Sequence, residues 1–268
     1  MNIRRVLMPA GIAVVALSLG ARSFAGDDKQ LQSQKGAVSY QAPSGKPVPL
    51  AVNATIGLAD HDYAITGGAS LAQVLLPDSS SVLVGSDTKV QLAFFNQAQI
   101  ANAKFVVYDG RVRFAVRHPQ GAKANYTFQT ATGSVGVRGT QGDIEYESDG
   151  SLRVNVYELC DPNAPVLVTT KGGKIFKIVA GQSLFAHIVN GIVQTELQQL
   201  TQQLVGQFAG DFGIPTSWDA ARGEVIGYAG GAVNNVTGGF GSEVISGIGS
   251  LFKKKATPSP APTRSTCS

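Results

Sequence analysis

The chain has 268 residues, 43% of them apolar and 15% charged, with 32 Gly, 12 Pro and 2 Cys. That balance suits one large domain with an appendage. It excludes a chain disordered throughout, a disulfide-stapled miniprotein and a collagen-like repeat. The formal charge of +4 sits at the ends: residues 26–252 carry 15 basic and 18 acidic groups, net −3. No nucleic-acid partner is expected, because phosphate binding needs a basic body that this chain lacks.

Met1–Ala25 reads as a cleavable secretory signal. Arg4 and Arg5 precede the apolar stretch Val6–Ala21, and Ser23-Phe24-Ala25 places small residues at the two positions a signal peptidase inspects. Cleavage between Ala25 and Gly26 would deliver the mature chain to the periplasm or outside the cell. An uncleaved anchor is the alternative, but this apolar run is interrupted by Pro9 and two glycines and falls short of the roughly 20 residues that span a bilayer. Residues 26–35 read as a polar linker.

From Val38 to Ile192, short alternating or apolar runs are punctuated by Gly, Pro, Asn and Asp, which predicts strands and turns. Strands are expected at 71–76, 81–84, 90–95 and 104–108, with Pro77–Ser80 as a turn. Asp109-Gly110 reads as a tight hairpin turn, since Gly accepts positive φ. Arg111–Arg117 alternates strictly, so Val112, Phe114 and Val116 should face inward and the arginines face water. Further strands are expected at 126–130, 143–147, 152–157, 166–170, 175–179 and 183–189, with Ser148-Asp149-Gly150 as a second hairpin turn. The pattern predicts a mainly β domain over residues 36–190, built as a sandwich, roll or solenoid-like stack.

The grammar then changes. Val193, Leu197, Leu200, Leu204 and Phe208 fall at helical spacing and predict an amphipathic helix over 193–209. It opens a helical, Gly-rich region at 191–252, and residues 253–268, with Pro258, Pro260 and Pro262, read as a disordered tail. Gly223, Gly227 and Gly231 stand four residues apart, and Lys253–Lys255 follow Leu251-Phe252. These features would suit weak membrane contact or self-association through residues 216–255. Asp219, Arg222, Glu224 and Glu243 argue against a true span. A helical hairpin packed on the β domain, or a loose appendage, is the plainer expectation.

No catalytic residues, cofactor fingerprint or metal set emerges. A Gly-x-Ser-x-Gly elbow and a phosphate loop are both lacking, and Gly133-x-x-Gly136-x-x-Gly139 has the wrong spacing for a dinucleotide turn. Asp60-His61-Asp62 brings three ligating types together, but in an extended segment only the two aspartates share a face, and a solvated loop is simpler. Glu145 and Glu147 fall on one strand face and could act as paired carboxylates, with an exposed face again simpler. Export would permit a disulfide between Cys160 and Cys267. The alternative is a strand-end thiol and a free thiol in a frayed tail.

Four segments, in order, resemble the FecR domain. Thr130–Thr140 ends in the triplet Arg138-Gly139-Thr140, which resembles the family's signature. Ala64–Ser70 resembles its strand with a Thr-Gly pair, and Leu75–Val84 its Leu-Pro-Asp-Gly-Ser hairpin. Val106–Phe114 resembles the strand pair before the triplet. The resemblance spans roughly residues 36–190 and implies a β-rich, non-enzymatic binding or sensory module with a protein partner in the cell envelope. A structural envelope scaffold is the alternative. Ser79 stands where the family usually has Gly, and Val156–Cys160 replaces a more typical turn. The classical regulators carry a cytoplasmic anti-sigma segment before a membrane helix, and only 25 residues are available for it here, so that role is not expected to carry over. In the triplet, Gly139 is expected to adopt a conformation closed to residues with a Cβ, and the motif is expected to be architectural.

Overall fold

The computed structural model describes residues 29–117, 123–201, 203–206 and 212. In chain order the strands are β1 (Gln30–Lys35), β2 (Val38–Gln41), β3 (Val48–Leu50), β4 (Thr55–Gly57), β5 (Tyr63–Thr66) and β6 (Leu71–Leu75). There follow β7 (Ser81–Val84), β8 (Lys89–Gln97), β9 (Ile100–Val116), β10 (Lys123–Gln129), β11 (Gly133–Val137) and β12 (Thr140–Tyr146). The last are β13 (Leu152–Leu159), β14 (Val166–Thr170), β15 (Ile175–Ile178), β16 (Gln182–Val189) and β17 (Ile192–Gln199).

All seventeen join one mixed sheet that folds over itself into two layers. The front layer runs β4-β1-β6-β7-β9-β12-β13-β16-β17. The back layer runs β3-β2-β5-β8-β9-β10-β11-β14-β15. From β6 onward the chain lays down short stretches alternately on the two layers. Alternation places Val112, Phe114, Ile144, Val154 and Leu184 from the front against Phe105, Phe128, Val135 and Val168 from the back, all buried in one core. Phe128 joins the layers: its ring lies 5.3 Å from Phe105 and 5.1 Å from Phe114.

The mainly β fold follows the sequence expectation, and four local expectations do not. Asp109-Gly110 makes no hairpin. It lies inside β9, whose first half pairs with β8 and β10 in the back layer and whose second half pairs with β7 and β12 in the front. Gly110, at φ +94°, bends the strand from one layer to the other instead of reversing it. Thr88 fastens this bend by accepting the Arg111 N–H at 2.8 Å on its hydroxyl. Residues 30–35, read as linker, form β1, because Leu31 is fully buried and the backbone pairs with β4 and β6.

The helix expected over 193–209 gives way to β17 across its first half. Asn190 and Gly191, both at positive φ (52° and 76°), form a two-residue loop that pairs Val189 with Ile192. Such a turn matches the twist of an antiparallel pair. Spacings of four are even as well as helical, so Val193 and Leu197 also fit one face of a strand. Helix occurs at 203–206. Finally, Arg113 does not face water, for reasons taken up below. The Gly-rich region, the tail and the Ala25/Gly26 junction lie outside the described residues.

The Leu76–Ser80 turn explains one departure noted in the sequence. Ser79 has φ +66°, the region that favours Gly. Asp78 holds the turn from inside, accepting the Ser80 N–H at 3.0 Å and the Tyr126 hydroxyl at 2.6 Å. Ser79→Gly should therefore raise stability in urea unfolding by about 1 kcal/mol, by relieving left-handed strain. Gly110→Ala should do the reverse. Its Cβ would stand 2.6 Å from the Thr88 Cα at an unfavourable φ, and a loss of about 3 kcal/mol is expected in the same assay.

Candidate functional site

Among the described residues, the outward face of the front layer carries a buried polar cluster. In-register pairing sets one residue from each strand in a row: Gln73, Leu83, Arg113, Asp143, Asn155, Ser183 and Gln198. Their chain neighbours Val112, Phe114, Ile144, Val154 and Leu184 point into the core, so this row points away from it.

At its centre Arg113 is 0% exposed. Its Nε donates to Asp143 Oδ1 at 2.5 Å and its Nη2 to Asp143 Oδ2 at 2.8 Å, a two-pronged pair. Nη2 also donates to the Tyr157 hydroxyl at 3.1 Å, and that hydroxyl donates to Asp143 Oδ2. What removes water is apolar cover from the segment after β17. Phe212 lies 5.0 Å from the guanidinium and packs with Leu71 and Leu83, while Val205 and Leu200 pack on Tyr157. Strict alternation correctly predicts that Arg113 turns away from the core, but carries no sign of this cover. The signal available was Asp143 and Tyr157, one polar and one aromatic group on neighbouring strands.

Burial pulls the Arg113 guanidinium down, but Asp143 beside it outweighs that and holds it above its ordinary value, so it stays charged. Burial, reinforced by the Asp143 charge, raises the Tyr157 phenol well above the usual tyrosine range. One row further along the same strands stand Arg111, Glu145, Arg153 and Phe185. Glu145 accepts from Arg111 Nε and lies 3.9 Å from Arg153 Nε, whose guanidinium stacks 4.4 Å over Phe185. Burial raises the Glu145 carboxyl and Arg111 opposes the shift, with Glu147 adding to the rise. Glu145 and Glu147 do border one groove of about 280 Å³, with Asp149, Ser151, Arg153 and Phe185. Glu145 is buried there and engaged by two arginines, whereas Glu147 is exposed.

The other sequence candidates resolve separately. Arg138 and Gly139 form the corner where the chain leaves β11 in the back layer for β12 in the front. Gly139 has φ +73° and accepts the Cys160 N–H at 2.9 Å, Thr140 is buried, and Arg138 is exposed. Asp60 pairs with Lys29 at 2.5 Å and accepts the Phe95 N–H, whereas Asp62 accepts the Ala59 N–H at 2.7 Å. Asp62 thus serves the local turn around His61, which is at φ +70°, while Asp60 ties that turn to β8 and to Lys29. Cys160 is disulfide-bonded, and the strand-end thiol does not stand. Cys267, the other cysteine of the sequence, lies outside the described residues.

Residues 62–158 match the family model described as FecR protein, and the sequence resemblance holds over those residues. No curated protein matches. Two crystal structures of a protein assigned as an anti-sigma factor from Parabacteroides distasonis are similar to this chain, each at 16% identity. They cover 55% and 54% of this chain with TM-scores of 0.44 and 0.42. This chain in turn spans 65% and 63% of theirs, under two thirds of their length.

Removing one partner of a buried pair strands the other charge, so Asp143→Ala should cost about 3–5 kcal/mol in equilibrium unfolding. The alkaline limb offers a second check. The raised native Tyr157 value means that its stabilising share is complete below the ordinary tyrosine value of 10.0 and is lost as pH rises above it. Unfolding free energy should therefore fall between about pH 10 and 12, and Tyr157→Phe should flatten that fall.

Proposed function

We propose that this chain is an exported, non-enzymatic regulatory or sensory module that acts by contacting a protein partner in the cell envelope. The observation that carries this reading is the FecR match over residues 62–158, which takes in the bend at Gly110, the Arg138-Gly139-Thr140 corner and the buried Arg113 cluster. Export rests on the charged start, apolar stretch and small-residue junction of residues 1–25. The chemistry fits contact better than turnover. The charged side chains of the front layer are tied to one another, and Arg138 stands exposed on a corner whose neighbours are buried.

A second reading, a self-associating envelope scaffold, has one specific support. The strands β15 and β17 end their layers at the same end of the molecule and expose Ile175 (62%), Ile192 (68%) and Leu197. Unpaired strand edges with apolar side chains favour strand addition. A photo-crosslinking residue placed in turn at Arg138 and at Ile192 in intact cells separates the two. Discrete adducts with another protein from position 138 are expected. A ladder of self-adducts from position 192, with none from 138, would replace the module by the scaffold.

A further inference from the structure

The two layers differ in charge. The strands of the back layer (β2, β3, β5, β8, residues 100–108 of β9, β10, β11, β14 and β15) hold no Asp or Glu. The front layer holds Asp143, Glu145, Glu158 and Glu196, and there Arg113 pairs with Asp143 and Arg111 with Glu145. The back-layer lysines have no such neighbour. Lys104 stands between the buried Ala103 and Phe105, and Lys89 between the buried Thr88 and Val90, so both point out of the core. Lys177 is exposed beside the buried Ile178. None of the three forms an ion pair among the described residues. The one carboxylate in register with them, Asp109, stands opposite Lys89 at the bend into the front layer.

We infer that the outer face of the back layer is a contact surface for a carboxylate-rich region of a protein partner. In-register pairing sets Lys104 and Lys177 at the two ends of one row, with Thr127, Gly136 and Leu167 between them. Four strand spacings of about 4.8 Å put the ends about 19 Å apart, within an interface patch of about 800 Å² per partner. Gly136 carries no side chain, and Thr127 and Leu167 beside it are half-buried, so the floor between the lysines is low. On the far side of Lys104, Lys89 Nζ lies 4.9 Å from the centre of the Tyr63 ring and 5.6 Å from that of Tyr108. Tyr108 is 46% exposed, and an aromatic side chain held beside a cation is a ready anchor for a protein surface. The chemistry of the partner follows from charge. These strands supply no acid of their own, so their cations are matched by carboxylates from outside, and a basic partner is repelled. A bilayer fits less well, because the row between the lysines has no exposed apolar side chain to enter the headgroup region.

This deepens the protein-contact reading and rests on it, but the two fail apart: adducts at position 138 in cells test the reading, and charge-dependent binding in vitro tests the face. The full-length protein is titrated with fluorescein-labelled poly-L-glutamate at low salt, read by anisotropy. Binding is expected, and it should weaken as salt is added. Lys104→Glu with Lys177→Glu should weaken it about tenfold, with Lys104→Gln and Lys177→Gln as the replacement should charge reversal upset folding. Lys35→Glu with Lys46→Glu, an equal change in net charge away from the row, should leave it within about twofold. Absence of binding, or an equal loss in both pairs, overturns the face, since net charge alone would then account for the effect. Retention on phosphatidylglycerol vesicles without binding of poly-L-glutamate also overturns it, in favour of a lipid surface. Adducts at position 138 with no charge-dependent binding would keep the module and discard this face.

Discussion

The architecture depends on β9. Among the described residues, its 17 residues are the single stretch held in common by both layers, and it pairs with β8 and β10 on one side of Gly110 and with β7 and β12 on the other. A strand that long would ordinarily stay in one sheet. Here a residue without a Cβ turns it through a bend that any side chain would crowd against Thr88. β7 and β8 before it, and β10 and β12 after it, are then laid against a strand already shared between layers. Phe105 before the bend and Phe114 beyond it both reach Phe128, so the bend also brings the aromatic centre of the core together.

The same strand delivers Arg113 to the outer face, where the energetic argument is different. Inside the sandwich, apolar area removed from water supplies the stabilisation. On the outer face an ion pair is stripped of water by three apolar side chains from the segment after β17, which is stabilising only if each charge is fully matched. Asp143 and Tyr157 match two of the guanidinium nitrogens, and the third is left over. Asp143 is thus engaged by both Arg113 and Tyr157, while the Asn155 amide beside it on β13 has no hydrogen-bond partner among the described residues.

How far this was legible from residues alone varied with the physics involved. Alternation in the second half of β9 pointed to the inward residues Val112, Phe114 and Val116 directly, and turn chemistry to the Ser148–Gly150 reversal. Gly139 could be read as a positive-φ position because the triplet joined two apolar strands. Asp109-Gly110 misled because the same dipeptide serves a reversal or a bend, and which one forms depends on partners remote in sequence. Val193 and Leu197 misled because a spacing of four satisfies helix and strand alike, and the Asn190-Gly191 turn decided between them. The burial of Arg113 was illegible for a stronger reason: it depends on Phe212, nearly 100 residues downstream, and local pattern holds no information on that contact.

The alternating deposition of hairpins on two layers has a consequence for how such a molecule can change size. Beyond β12, each added pair of strands touches mainly the pair placed before it on its own layer: β13 with β16, β11 with β14. The core therefore keeps a nearly constant cross-section while it lengthens, as in a stacked array. Duplication or loss of one hairpin from each layer would alter the length of the molecule and leave the middle untouched. Evolutionary tinkering with such a chain should accordingly collect at its far end, where β15 and β17 stand, and spare the segment that bends between layers.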